Sequence, residues 1–171
     1  MNTDEKALKI GGVFSYEVIR NGEVIDKWED KNIIVDEGLN YILDTAFSAG
    51  SPITTWYLGL FKNSYTPVAS NTLATFPGVG VAAEATTEYN EANRPAWVEA
   101  GVSAKVITNS ASPAVFNIGS AVTIQGAFLA SSNTKGGTSG VLSAASKFPA
   151  SRILQVNDVL NIVYSLTISS T

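Results

Sequence analysis

Carboxylates are the one catalytic option that this chain leaves open. The 171 residues contain no His and no Cys. Thiolate metal sites, cysteine nucleophiles, Ser-His-Asp triads and His-containing zinc sites are therefore excluded. Two carboxylate groups stand out. Glu17 and Asp26 face each other if the chain forms a hairpin about Asn21-Gly22, and Glu84, Glu88 and Glu91 cluster later. A glycosidase needs two carboxylates about 5–10 Å apart in an aromatic-lined cleft, and nothing in the sequence places these pairs in one. Solvated surface acids are the plainer reading.

Binding chemistry offers more candidates. Asp36-Glu37 and Asp26/Asp30 could attract calcium, but no D-x-D-x-D-G loop is present. Lys135-Gly136-Gly137-Thr138 matches part of a phosphate-binding loop without the full G-x-x-x-x-G-K-[ST] spacing or a following helix. No cofactor motif is found. Trp28, Trp56, Tyr57, Tyr89 and Trp97 could form a sugar platform, though aromatics also fill sandwich cores and protein interfaces. Arg94 lies in EYNEANRPAW beside Tyr89, Glu91 and Trp97. It is either a buried ion pair or an interface anchor, with Tyr89 and Trp97 as its companions.

Charge narrows the choice of partner. Hydrophobic residues make up 45% and charged residues 15% of the chain, against about 25% charged in ordinary domains. The net charge of −4 gives no counterion-release drive toward nucleic acid. Residues 1–99 hold 14 acids and 7 bases, whereas residues 100–171 hold Asp158 against four bases. These opposite-signed regions can pair within a domain or between copies, or can serve two differently solvated faces. MNTDEKALKI does not read as a signal peptide, and no apolar run is long enough for a membrane helix. Synthesis and folding in the cytoplasm are expected.

The elements that must position these residues are mostly strands. Residues 1–12 end in Gly11-Gly12 and read as an arm, leaving 13–171 as one domain. Val13–Arg20 and Glu23–Val35 flank Asn21-Gly22, a strong hairpin signal. A two-residue loop there sets Arg20 opposite Glu23 and Val18 opposite Ile25. Asp36 is placed to cap a helix over about residues 36–47, whose Leu39, Ile42, Leu43, Ala46 and Phe47 make an apolar stripe expected to pack on a sheet. Thr54–Phe61 is apolar on both faces, and 62–80 reads as a long loop or broken edge. Strands are expected at Arg94–Val98, Val102–Thr108, Ala114–Ile118 and Ala121–Ala130, and a weak one at Val141–Phe148. Residues 149–158 read as a connector, and Asn157-Asp158 as a turn. Val159–Ile168 alternates cleanly, with Leu160, Ile162, Tyr164, Leu166 and Ile168 on one face. This pattern predicts an all-β antiparallel sandwich with an N-terminal hairpin and one short helix.

The order of features also resembles a known group. The hairpin is followed by NIIVDEGLNYILDTAF, WYLGLF, SNTLATFPG, EYNEANRPAW, TIQGAFLASS with a glycine-rich loop, and QVNDVLNIVYSLTI. Val35 to Leu43, Leu58-Gly59-Leu60, Tyr89 with Arg94, Gly126-Ala127-Phe128 and Asn157-Asp158 carry the likeness. In these the chain resembles virion structural proteins of tailed bacteriophages, in particular those that decorate or cement the capsid. Tail and fibre-associated proteins show similar patterns. The resemblance implies a jelly-roll-like β-sandwich, a homotrimer, binding to the major capsid protein and a place on the outer surface of the virion. A non-enzymatic protein needing no cofactor or metal is the expectation, with a tail or fibre component or a carbohydrate-binding module for host attachment as alternatives. Residues 1–12 match no motif of that group. Together with the strand near Val13 they are candidates for reaching a neighbouring subunit, so Lys6, Lys9 and Ile10 join Tyr89, Arg94 and Trp97 as candidate partner-binding residues.

Overall fold

The computed structural model describes residues 8–170. Two antiparallel sheets pack face to face. One contains β1 (Leu8–Arg20), β2 (Glu23–Lys31), β6 (Val106–Thr108), β7 (Ala114–Asn117) and β10 (Val159–Ser170). Its order is β2-β1-β10-β6, with β7 beside the start of β10. The other contains β3 (Ile33–Ile34), β4 (Trp56–Phe61), β5 (Ala96–Trp97), β8 (Val122–Ala130) and β9 (Leu142–Leu154), in the order β3-β9-β8-β4-β5. Among the described residues the single helix, α1, spans Asp36–Phe47. Among the described residues no helix is long and apolar enough to cross a membrane.

The hairpin forms where Asn-Gly demands it. Asn21 and Gly22 have φ of 53° and 83°, the left-handed pair that a type I′ turn requires. Arg20 faces Glu23 as expected, but Val18 faces Asp26 and not Ile25. A β-bulge between Val18 and Ile19 inserts one extra residue in β2 and shifts the register beyond it. Of the expected arm, Lys6 lies outside the described residues. Leu8–Gly12 are instead the opening of β1, paired with Ser170–Leu166 of β10.

Between the sheets lies the main core, including Phe14, Tyr16, Leu60, Phe116, Ile124, Leu129 and Tyr164. A second core sits on the outer face of the β4/β8/β9 sheet. There Phe61, Phe128, Leu142 and Ala145 are covered by Leu73, Phe76 and Ala82. The 62–85 segment is thus a lid on that sheet, which explains why WYLGLF is apolar on both faces. β9 runs to Leu154, past the expected end at Phe148, so the expected connector over 149–158 shrinks to a few residues. Residues 148–151 bulge opposite Gln125, between the pairs Lys147–Gly126 and Arg152–Ile124. Pro149, which has no N–H to give, sits in that irregular stretch.

The helix departs most from expectation. Val35 is its N-cap and Asp36 makes no side-chain cap. Gly38 is its only fully buried residue, and a Cβ there would come within 2.5 Å of the Ser143 carbonyl oxygen. Tyr41 packs edge-on to Trp56 at 5.2 Å. The apolar stripe packs only in part: Leu39 and Ile42 are half-buried, whereas Leu43 is 57% and Phe47 85% exposed.

Candidate interaction surface

Arg94 is the centre of a closed clasp. Its Nε and one terminal nitrogen donate to the two Glu84 carboxylate oxygens, both at 2.7 Å. The guanidinium also donates to the carbonyls of Ser132 at 2.9 Å and Gly137 at 3.1 Å. Gly136 N–H donates to Glu84 at 2.7 Å, and the Phe128 ring lies 5.1 Å from the guanidinium carbon. Both charged side chains are shielded from solvent. The geometry suits a buried pair, with bidentate contact and two backbone carbonyls accepting further guanidinium N–H groups. Its work is to fasten loop 131–140 to segment 84–94. The same contacts use up the Gly136 N–H that a phosphate would need.

Tyr89 and Trp97 belong to the same interior. Tyr89 packs edge-on to Phe116 at 5.0 Å, and the Lys135 ammonium lies 3.7 Å from its ring centroid. Lys135 also donates to the Tyr89 carbonyl at 3.0 Å. Burial, reinforced by the Glu84 carboxylate, pushes the Tyr89 phenol upward. Trp97 donates from Nε1 to the Tyr164 carbonyl at 3.0 Å. Tyr89, Arg94 and Trp97 are thus buried and bonded within the fold, while Trp97 also lines the hollow beside Trp56 and Val98. Of the six candidates, Lys9 and Ile10 remain near the surface, exposed and half-buried respectively.

The carboxylates are dispersed. The β2 bulge sets Lys27, not Asp26, opposite Glu17, and the two form an ion pair of 2.6 Å. Asp26 pairs with Arg152 at 3.0 Å. Lys62 holds Glu88 at 2.6 Å, and Glu91 accepts from the Asn117 side chain at 2.6 Å. Among the described residues no three acids come close enough to hold a metal ion. Asp30 is buried beside Tyr16 and Trp28, and burial raises its carboxyl above the ordinary range against the pull of Arg152. Asp158 is held below that range by Arg20, whose two donors reach it at 2.7 and 2.8 Å. The aromatics do not share a platform. Trp28 stacks on Tyr16 in one sheet, and Trp56 meets Tyr41 edge-on beside the other.

Two regions remain open: a hollow of about 380 Å³ on the β2/β1/β10 sheet, lined by Glu17, Trp28, Pro113 and Val163 among others, and one end of the sandwich. Strands β1 and β10 continue there past the main core, with Ile10 opposite Ile168 and Gly12 opposite Leu166. On one flank a groove of about 670 Å³ lies between Leu8–Val13 of β1, Lys31, Asn32 and Leu39 of the helix. On the other, a hollow of about 270 Å³ is lined by Val102, Lys105, Ile107, Leu166 and Ile168. Ile107 also lines a third hollow, with Ile53, Trp56 and Val98. Leu8 is 68% and Val102 75% exposed. The β2 pairing of β1 begins only at Val13, so Leu8–Gly11 have a strand partner on the β10 side alone among the described residues.

A tight turn, Ser103–Val106, presents Lys105 at this end. Ser103 and Val106 exchange backbone hydrogen bonds of 2.9 Å. Ala104 and Lys105 between them have φ of 50° and 67°. Side chains with a Cβ hold that conformation at a cost of about 1–3 kcal/mol each. The alternation of β10 signals this surface in the sequence, because five apolar residues on one face are more than the facing sheet covers. In comparison with known proteins, no family model matches the chain and no curated protein matches it significantly.

Proposed function

We propose that this protein is a non-enzymatic virion structural protein of a tailed bacteriophage, binding the outside of the capsid and stabilising junctions between its subunits. One observation supports a binding role above all: Leu8, Val102 and Ile168 stand uncovered beside the groove and hollow at the end where β1 and β10 run past the main core. Contiguous exposed apolar surface of this kind marks sites of protein association. The sequence resemblance supplies the partner, the major capsid protein, and implies three copies per assembly.

The physical logic is that of a clamp. Stable association takes an interface of about 1,600 Å². Repetition around a particle adds avidity without new contacts. A rigid sandwich suits this task, since little conformational entropy is lost when it docks. The test adds purified protein to shells of the same phage that lack it. Saturable retention at a fixed number of copies per shell, with a higher shell melting temperature, is expected. Failure to be retained would overturn the proposal.

A further inference from the structure

One stretch of sheet edge at the open end has no described strand against it. The pairing of β1 with β2 begins at Val13, and beyond it Asn32 N–H donates to the Gly12 carbonyl at 3.2 Å. Gly12 therefore faces the β2 side, and by the alternation of a strand so do the N–H and C=O groups of Ile10 and Leu8. After Asn32 the chain leaves for β3 in the other sheet. The groove of about 670 Å³ lies along this edge. Exposed edges are commonly guarded by charged side chains. The sequence of β2, EVIDKWEDK, is guarded in this way, whereas Leu8–Gly12 offers one lysine, two aliphatic side chains and two glycines.

The groove has two chemical sides. Lys31 stands opposite Val13, and Lys9 lies four residues before Val13, so both lysines share one face of the sheet. Gly11 leaves room between them on that face. Leu8 and Ile10 belong to the opposite face, that of Phe14 and Tyr16, and Leu39 of the helix lines the groove with them. Among the described residues no acid lines this groove; Glu99 lies on the other flank, in the hollow beside Ile107. We infer that this edge accepts an extended strand of a second protein, one in which carboxylates alternate with apolar side chains. Opposite Gly11 and Lys9, the incoming residues are on the face of the two lysines, where carboxylates match the charge. Opposite Ile10 and Leu8 they are on the aliphatic face, where apolar side chains leave water. The backbone groups of Leu8 and Ile10 supply the hydrogen bonds, and the alternation supplies the selectivity. This inference rests on the proposed binding role and gives the chemistry of the segment that the shell contributes.

Amide NMR of the full chain, titrated with the end-capped peptide EVEIE, tests it. A single short strand is expected to bind with a Kd of about 1 mM, shifting the amides of Leu8–Gly12, Lys31, Asn32 and Leu39. The capped peptide KVKIK is expected to bind at least about tenfold more weakly. Ile10→Pro removes an N–H on the groove side and none on the β10 side, and is expected to weaken EVEIE binding by about tenfold or more. Lys9→Glu is expected to weaken it by about tenfold. Removal of residues 2–7 is expected to leave it unchanged. Melting and the remaining amide shifts confirm that each variant is folded; if Ile10→Pro is not, Lys9→Glu decides. No shift at this edge with about 10 mM peptide, equal binding of KVKIK, or undiminished binding by the folded variants would overturn the inference. So would binding that rises about tenfold without residues 2–7, since that segment would then be the occupant. Shell retention is read separately. Peptide binding without retention sinks the capsid role alone, and retention without binding at this edge sinks this inference alone.

Discussion

At Arg94, four protein oxygens surround a guanidinium that solvent does not reach. Leu8 at the strand end and Phe47 at the end of the helix stand in water with little of the fold against them. The two regions use side chains in opposite ways. The clasp spends polar groups on rigidity, with four guanidinium hydrogen bonds made to acceptors of the same chain. The open end leaves apolar groups unmatched, and their free energy is gained only when something else covers them. The residues that looked most capable of recognition are therefore the ones that hold the loops, and under the proposed binding role recognition would fall to Leu8 and its apolar neighbours.

Breaking the clasp gives the largest effect. Glu84→Gln leaves Arg94 charged and buried without its counter-ion, with an expected loss of about 3–5 kcal/mol in urea unfolding. Peptide binding at the β1 edge should be unchanged at temperatures where the variant stays folded. Next is Asp158→Asn, which weakens the tie between the hairpin and the start of β10. A loss of roughly 1–2 kcal/mol at neutral pH is expected, moderated because Arg20 is partly exposed. The sign with pH follows from the lowered Asp158 value. Its contribution is present above the ordinary carboxylate range and disappears as pH falls through the folded-state value. The variant's deficit should thus shrink in acid, as read by melting across pH.

Two smaller effects sharpen the contrast at the open end. Lys105→Gly relieves a left-handed residue and should raise stability by about 1 kcal/mol, while leaving peptide binding at the β1 edge unchanged. Lys9→Glu should shift stability by less than about 0.5 kcal/mol and yet abolish most peptide binding. A clasp variant is unstable but competent, whereas an edge variant is stable but incompetent. Thermal melting set beside peptide titration separates the two.

Much of the fold was legible from local chemistry. Asn21-Gly22 has one favoured conformation between strands, and the alternation of Val159–Ile168 fixes which face of β10 is buried. The register beyond Val18 was not legible, because a bulge is set by how the two faces of a sheet settle against their neighbours. That single shift exchanged Asp26 for Lys27 opposite Glu17 and turned an apparent acid pair into an ion pair. The stripe of α1 was visible as a pattern, but a pattern does not say what covers it. Gly38 lets the helix approach Ser143 through its backbone, and this close approach at its first turn leaves Leu43 and Phe47 outward. The length of β9 was obscured by Pro149, which a bulge accommodates. For Arg94, an anchor and an ion pair use the same residue types. Only the return of loop 131–140 over the guanidinium separates the two, and that is a long-range contact.

Hydrogen–deuterium exchange, comparing the free chain with the chain bound to shells, tests the central claim most directly. The account predicts new protection in Leu8–Gly12, with the Arg94 clasp at 84–94 and 131–140 equally protected in both states. Protection gained at the clasp, or none gained at Leu8–Gly12, would contradict it.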